Sequence, residues 1–136
     1  MFLLLIVWLA FSDIAAVKAE PDLDKRSELA LVNAEHELDQ ARQTYKSGDQ
    51  AAAEAALKDV SESVDVCYDA LQQSHTPPRK SKYYKRAELK VQALLRRLNG
   101  FREDSGFEIQ PAVDAVVKKV SEVHDRLIAD IMSKKK

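Results

Sequence analysis

The sequence predicts an all-α protein: an antiparallel four-helix bundle built from two helical hairpins and preceded by a signal peptide. In four long segments, apolar residues recur at alternating spacings of three and four, the pattern of helices packed along one another. The chain has three Gly and four Pro among 136 residues, too few turn residues for many short strands. Its composition, 46% hydrophobic and 32% charged, is typical of a folded globular chain.

The N-terminus is predicted to be a secretory leader. Phe2–Phe11 reads FLLLIVWLAF, an apolar run about half the ~20 residues that a membrane-spanning helix needs. The small or medium side chains of Val17 and Ala19 lie three and one residues before a possible cleavage point after Ala19. We therefore expect residues 1–19 to be a signal peptide, residues 20–136 to form the helical domain, and the protein to be periplasmic or extracellular. One feature disagrees with a signal peptide, since no Lys or Arg precedes the apolar run. An uncleaved N-terminal membrane anchor is the alternative.

The first predicted hairpin joins two helices through a glycine turn. Its first helix begins at Asp24 or Ser27 and ends before Gly48, since glycine tolerates the left-handed backbone beyond a helix end. Asp49 is expected to cap the second helix, which spans residues 50–73. The apolar stripes are Leu31, Ala34, Leu38, Ala41 and Tyr45 in the first helix and Ala53, Leu57, Val60, Val64, Cys67 and Leu71 in the second.

The turn of this hairpin carries a local family resemblance. Over about 17 residues, the helix-turn-helix of a tetratricopeptide repeat is similar to the pattern Ala41-x3-Tyr45-x2-Gly48-Asp49-x3-Ala53-x3-Leu57. The resemblance implies a tight antiparallel hairpin. It does not imply a peptide-binding groove, because the second helix continues through Asp65 and no second copy follows.

The second predicted hairpin follows Pro77-Pro78, which end the second helix because proline cannot continue one. The third helix is expected to run from Ser81 to Asn99 or Arg102, since Gly100 can end a helix although the apolar register continues beyond it. The fourth begins at Pro111, a residue favoured in the first helical turn, and runs to about residue 132. Their stripes are Tyr84, Ala87, Val91, Leu94, Leu98 and Phe101, then Val113, Val116, Val117, Val120, Val123, His124, Leu127 and Ile131.

Charge is segregated along a chain whose net charge is only −1. Residues 20–75 carry five basic and thirteen acidic side chains, whereas residues 77–102 carry nine basic and one acidic. The third helix is therefore basic, and the densest stretch supplies the candidate binding residues Arg79, Lys80, Lys82, Tyr83, Lys85 and Arg86. We expect them to project beyond the bundle end and to contact an acidic protein or an acidic envelope polymer. The alternative is that they neutralise the acidic first hairpin inside the bundle.

The sequence contains no Gly-rich phosphate loop and no serine-nucleophile motif. His36 and His124 lack the acidic residue three positions earlier that a di-metal bundle uses. Cys67 lies on an apolar stripe, where a free thiol behaves as a small apolar side chain. We therefore expect no catalytic residue, no metal and no cofactor.

The predicted function is that of an exported, non-enzymatic bundle that binds or scaffolds another macromolecule. The runner-up is a binder of an anionic polymer or a membrane surface through the basic third helix. A metal-dependent or redox enzyme that uses the His and Cys residues is the third interpretation. Export argues against a nucleic-acid partner, and contact with a membrane is expected only through the leader or as a weak surface contact.

Overall fold

The computed structural model describes residues 14–133, and that part of the chain contains helices and no strand. The prediction of an all-α helical bundle is thereby confirmed. The apolar run Phe2–Phe11 and the terminal residues 134–136 lie outside the described residues. None of the described helices is both long enough and apolar enough to cross a membrane. The described helices are α1 Ile14–Ala19, α2 Leu23–Lys46, α3 Gln50–Gln73, α4 Lys82–Asp104 and α5 Gln110–Met132.

The turn between α2 and α3 forms as the sequence predicts. Gly48 has a φ of 85°, a left-handed conformation that side chains disfavour. Its N–H donates to the carbonyl oxygen of Tyr45 at 3.0 Å. Asp49 caps α3, because its carboxylate accepts from the backbone N–H of Ala52 at 3.0 Å. The chain therefore reverses direction in a short, well-bonded turn.

The helix α4 is longer than either of its two predicted ends allows. Ser81 caps its start, with Oγ accepting from the backbone N–H of Tyr84 at 3.2 Å. The helix passes through Gly100 and ends at Asp104. The reason is Phe101, which is 3% exposed and extends the buried stripe of α4. Its burial outweighs the ~1 kcal/mol that a glycine costs inside a helix.

The predicted apolar stripes form one core. The stripe residues are buried except for a few that are partly buried at its edge: Tyr45, Val117, His124 and Ile131. Pro111 lies in the first turn of α5 as expected. The largest fully buried side chains include Leu38, Leu57, Leu71, Leu98, Ile109 and Leu127.

The helices α2 and α3 make the most extensive contact within residues 14–133. Small buried side chains line their interface and let the two backbones approach closely. Asn33 Nδ2 donates to Ser63 Oγ at 2.8 Å, and Ser74 Oγ donates to Asp24 Oδ1 at 3.1 Å. Early residues of α2 thus meet late residues of α3, as in an antiparallel hairpin. The buried alanines of the two helices are Ala30, Ala34, Ala41, Ala53, Ala56 and Ala70.

The helices α4 and α5 form the second antiparallel hairpin. The hydroxyl of Tyr84, near the start of α4, donates to Asp130 Oδ2 near the end of α5 at 3.2 Å. Farther along, Glu88 Oε2 lies 2.7 Å from His124 Nε2. The two contacts set the register in which the rest of the pair packs.

Between the hairpins, the helices that face one another run parallel. Arg86 of α4 pairs with Glu28 of α2, with Nη1 and Oε2 2.9 Å apart, and Lys119 of α5 pairs with Asp65 of α3 at 3.2 Å. By contrast, α3 and α4 barely touch, so the segment 74–81 crosses the bundle diagonally. The expectation of antiparallel neighbours therefore holds within each hairpin and does not hold between them.

The short helix α1 packs across α2 and α3. Val17 is 5% exposed and belongs to the core. Lys18 Nζ donates to Glu62 Oε1 of α3 at 2.7 Å. The last residues of the predicted leader thus contact the bundle. Cleavage after Ala19 stays a prediction, because the apolar run that defines the leader lies outside the described residues.

Candidate functional site

The candidate binding residues lie together at one end of the bundle, where α2 and α4 begin and α3 and α5 end. We call Arg79, Lys80, Lys82, Tyr83, Lys85 and Arg86 the basic cluster. A turn closed by the Lys80 N–H donating to the Pro77 carbonyl at 2.9 Å leads into the buried cap residue Ser81. The cationic side chains of the cluster are all exposed, as the sequence predicts for residues beyond the prolines.

Internal neutralisation accounts for part of the charge of α4. Arg86 pairs with Glu28, and Arg97 pairs with Asp39, so both arginines contact the acidic first hairpin. Within residues 14–133, no ion pair forms at the remaining cations of the cluster, which are Arg79, Lys80, Lys82 and Lys85. Internal neutralisation therefore accounts for Arg86 and Arg97. It leaves the other four cations of the cluster without an ion pair in that part of the chain.

The Tyr83 ring is engaged by its own helix. It is partly buried and packs against the core. Lys82 Nζ lies 5.3 Å from the ring centroid, and Arg86 Cζ lies 5.8 Å from it. These cation–π contacts hold two cations of the cluster against the surface. The Tyr83 ring thus positions the charged groups of Lys82 and Arg86.

Beneath the cluster, two tyrosines share one carboxylate oxygen. Tyr68 and Tyr84 donate to Asp130 Oδ2 at 2.8 and 3.2 Å, and Gln72 Nε2 donates to the Tyr68 hydroxyl at 2.9 Å. Burial, reinforced by Asp130, raises the pKa of Tyr68 to about 12 and raises the pKa of Tyr84 further. Both phenols therefore stay protonated donors near neutral pH. No local sequence signal predicts this network, because its members lie on three different helices.

The first turn of α4 is electrostatically unfavourable for its own charges. It contains no acidic residue, whereas Lys82 and Lys85 lie where the helix dipole is positive. Each such cation costs on the order of 0.3–1 kcal/mol at an exposed site. Ser81 supplies the single side-chain cap. The fold therefore tolerates concentrated positive charge at this place without gaining stability from it.

The histidines and the cysteine match their predicted environments. His124 is partly buried at the edge of the core and pairs with Glu88, whereas His36 is exposed on α2. Residues 14–133 contain no group of three or more side chains arranged to hold a metal ion. Cys67 is fully buried, and that burial raises the pKa of its thiol to about 12, so it is protonated near neutral pH.

The chain matches no family model, no curated protein and no solved structure. What its surface binds is therefore inferred from its own residues.

A crevice of about 490 Å³ lies at the opposite end of the bundle. The Tyr45 hydroxyl donates to Glu108 Oε1 at 2.8 Å and accepts from the backbone N–H of Gly106 at 2.8 Å. Arg42 lies over the Phe101 ring at 5.7 Å from its centroid. These contacts hold the loop between α4 and α5 against the α2–α3 turn. They account for the crevice as a structural feature of the fold.

Proposed function

We propose that the protein is an exported, non-enzymatic helical bundle that binds a negatively charged macromolecular partner through the basic cluster. One observation carries the proposal. Arg79, Lys80, Lys82 and Lys85 converge at one bundle end, exposed and without ion pairs in the described chain, while Arg86 and Arg97 pair with the first hairpin. Such unpaired, clustered cations attract anionic partners and accelerate association.

Rigidity supports the proposal. The Ser81 cap and the Tyr68–Asp130–Tyr84 network hold the first turn of α4, from which Lys82 and Lys85 project. A surface held in one arrangement loses less entropy on binding than a mobile one. The unfavourable position of Lys82 and Lys85 at the positive end of the α4 dipole also points to a role other than stability.

Export and the absence of catalysis belong to the same proposal. Export rests on the apolar run Phe2–Phe11 and on the small or medium side chains of Val17 and Ala19, which precede the expected cleavage point. The non-enzymatic part is supported by the raised thiol pKa of Cys67, which disfavours a thiolate nucleophile. N-terminal sequencing of the protein recovered from its own cells tests the cleavage.

Charge reversal in the cluster tests the binding role. We expect K82E/K85E to fold normally, because both side chains are exposed, and to elute from heparin at clearly lower salt than the parent protein. Cationic contacts supply much of the affinity for a polyanion. Loss of two of them should therefore lower the affinity for heparin by about tenfold at a moderate salt concentration. The measurement is the salt at elution, with far-UV circular dichroism to verify folding.

The matched control is K46E/K58E, which makes the same change in net charge at two exposed lysines on other faces of the bundle. It should retain most of the heparin affinity. If K82E/K85E and the control elute at the same salt, the cluster is only structural and the proposed function is wrong.

A further inference from the structure

Exposed apolar side chains lie beside the basic cluster. Leu89 of α4 is 61% exposed, and Ile128 and Met132 of α5 are 41% and 74% exposed. Isolated exposed apolar residues are ordinary on protein surfaces. Three large exposed apolar side chains near several lysines form a combined surface. The sequence of either helix alone does not predict that surface.

Contacts between α4 and α5 put these residues at the same end of the helix pair. The pairs Tyr84–Asp130 and Glu88–His124 fix the register of the two helices. Lys85 lies one turn before Leu89 on α4, and Ile128 lies one turn after His124 on α5; residues one turn apart are neighbours on a helix surface. We call Lys82, Lys85, Leu89, Ile128 and Met132 the amphipathic patch.

Most acidic groups around the patch already pair with or accept hydrogen bonds from other side chains. Glu88 pairs with His124, Glu28 pairs with Arg86, and Asp130 accepts from two tyrosine hydroxyls. Asp125, three residues before Ile128, is an exposed carboxylate without an ion pair in residues 14–133. Among the described residues of the cluster and the patch, four cations have no ion pair, whereas Asp125 is the nearby carboxylate that has none.

Resting on the proposed function, we propose that the basic cluster and the amphipathic patch together dock the bundle onto the surface of an anionic phospholipid bilayer. Lysines meet the negative headgroups while Leu89, Ile128 and Met132 enter the boundary between headgroups and acyl chains. A soluble acidic polymer without apolar groups would match the charge but would offer no apolar contact to the exposed leucine, isoleucine and methionine. That difference favours a lipid surface as the partner.

Two pairs of variants test this docking in the full chain. L89S/M132S removes apolar contacts, with F107S as its control, since Phe107 is 88% exposed at the opposite end of the bundle. K82E/K85E removes the charge, with K46E/K58E as its control. Every variant carries the same residues 1–13, so differences among them report on the patch and not on the apolar N-terminus. Exposure of the substituted side chains keeps the fold intact, which circular dichroism verifies.

The measurement is co-sedimentation with vesicles of phosphatidylglycerol mixed with phosphatidylcholine, and with vesicles of phosphatidylcholine alone, alongside elution from heparin. K82E/K85E should weaken binding to the anionic vesicles by at least about 30-fold, since each lysine near an anionic membrane contributes roughly fivefold and each new glutamate is repelled. L89S/M132S should weaken it by about tenfold while leaving heparin elution unchanged. Both controls should bind the anionic vesicles like the parent protein.

Failures of the two proposals are distinguishable. If the parent protein binds heparin through Lys82 and Lys85 but prefers neither vesicle type, the partner is a soluble polyanion and lipid docking is wrong. The same holds if L89S/M132S binds anionic vesicles as tightly as F107S does. If K82E/K85E matches K46E/K58E in every assay, the proposed function itself is overturned.

Discussion

Leu94 and Lys90 lie one turn apart on α4 and differ sharply in burial. Leu94 is 2% exposed and contacts the core, whereas Lys90 is exposed and makes no ion pair among the described residues. Burial decides what a substitution costs, because a core position loses packing and cannot solvate a charge.

We expect L94D to destabilise the protein by at least about 3 kcal/mol, since it buries a carboxylate without a partner and removes apolar contact. K90A should change the free energy of unfolding by no more than about 0.5 kcal/mol. Urea denaturation followed by circular dichroism measures both. Equal midpoints for the two variants would contradict the register of α4.

Buried polar residues, unlike those of the apolar stripes, need hydrogen-bond partners. Asn33 and Ser63 are 5% and 0% exposed and bond to each other across α2 and α3. Ser27 is also buried, and its hydroxyl donates to the carbonyl oxygen of Asp24 at 2.6 Å. Because a buried polar group without a partner is costly, the Asn33–Ser63 bond favours one alignment of α2 against α3. The Ser27 bond satisfies its hydroxyl within α2.

At the scale of the helix, the glycines at 48 and 100 have opposite roles. Gly48 ends α2 with a φ of 85°, whereas Gly100 lies inside α4 in ordinary helical backbone. A Cβ atom would meet nothing within 4 Å at either position. The two sites therefore differ in backbone conformation alone, and not in available space.

The alanine variants separate these roles. G48A should destabilise the protein by about 1 kcal/mol, because an L-residue is strained in the left-handed region. G100A should stabilise it by up to about 1 kcal/mol, because alanine lowers the entropy of the unfolded chain and favours helix. Thermal and urea denaturation measure both changes. A stabilising G48A, or a G100A that destabilises, would contradict the assigned helix ends.

At the scale of the whole molecule, charge favours one arrangement of the hairpins. Glu28–Arg86 and Asp39–Arg97 both join α2 to its parallel neighbour α4. Exposed ion pairs such as these add only about 0–1 kcal/mol each. They nevertheless disfavour the arrangement in which α3 and α4 would be neighbours, since that arrangement would leave these charges without partners.

The bundle should fold without its N-terminal nineteen residues. Val17 is the buried side chain that α1 contributes, and the remaining core lies in α2 to α5 and the residue before α5. Residues 20–136 should therefore give a helical far-UV spectrum and a cooperative melt, less stable than the full chain by about 1–3 kcal/mol. A disordered spectrum would show that α1 is essential to the fold.

The sequence by itself determined the four long helices, their core faces and the location of the basic cluster, but not the short helix α1. Leu38, Leu57 and Leu98 are buried because the three-four spacing puts apolar side chains on one side of a helix, whatever that side contacts. Gly48 and Asp49 set the first turn through local backbone conformation and hydrogen bonding. The apolar period, charge count and turn chemistry are all local properties, so they can be read from neighbouring residues.

Tertiary structure alone decided which helices are neighbours and which surfaces combine. The diagonal crossing of segment 74–81 and the sharing of Asp130 by Tyr68 and Tyr84 join residues far apart in the chain. The position of Leu89 relative to Ile128 depends in the same way on how α4 packs against α5. Periodicity gives the direction of a face on its own helix but not the identity of the helix that covers it, because many pairings bury the same apolar area. Hydrogen bonds, ion pairs and close packing between distant residues select one of them.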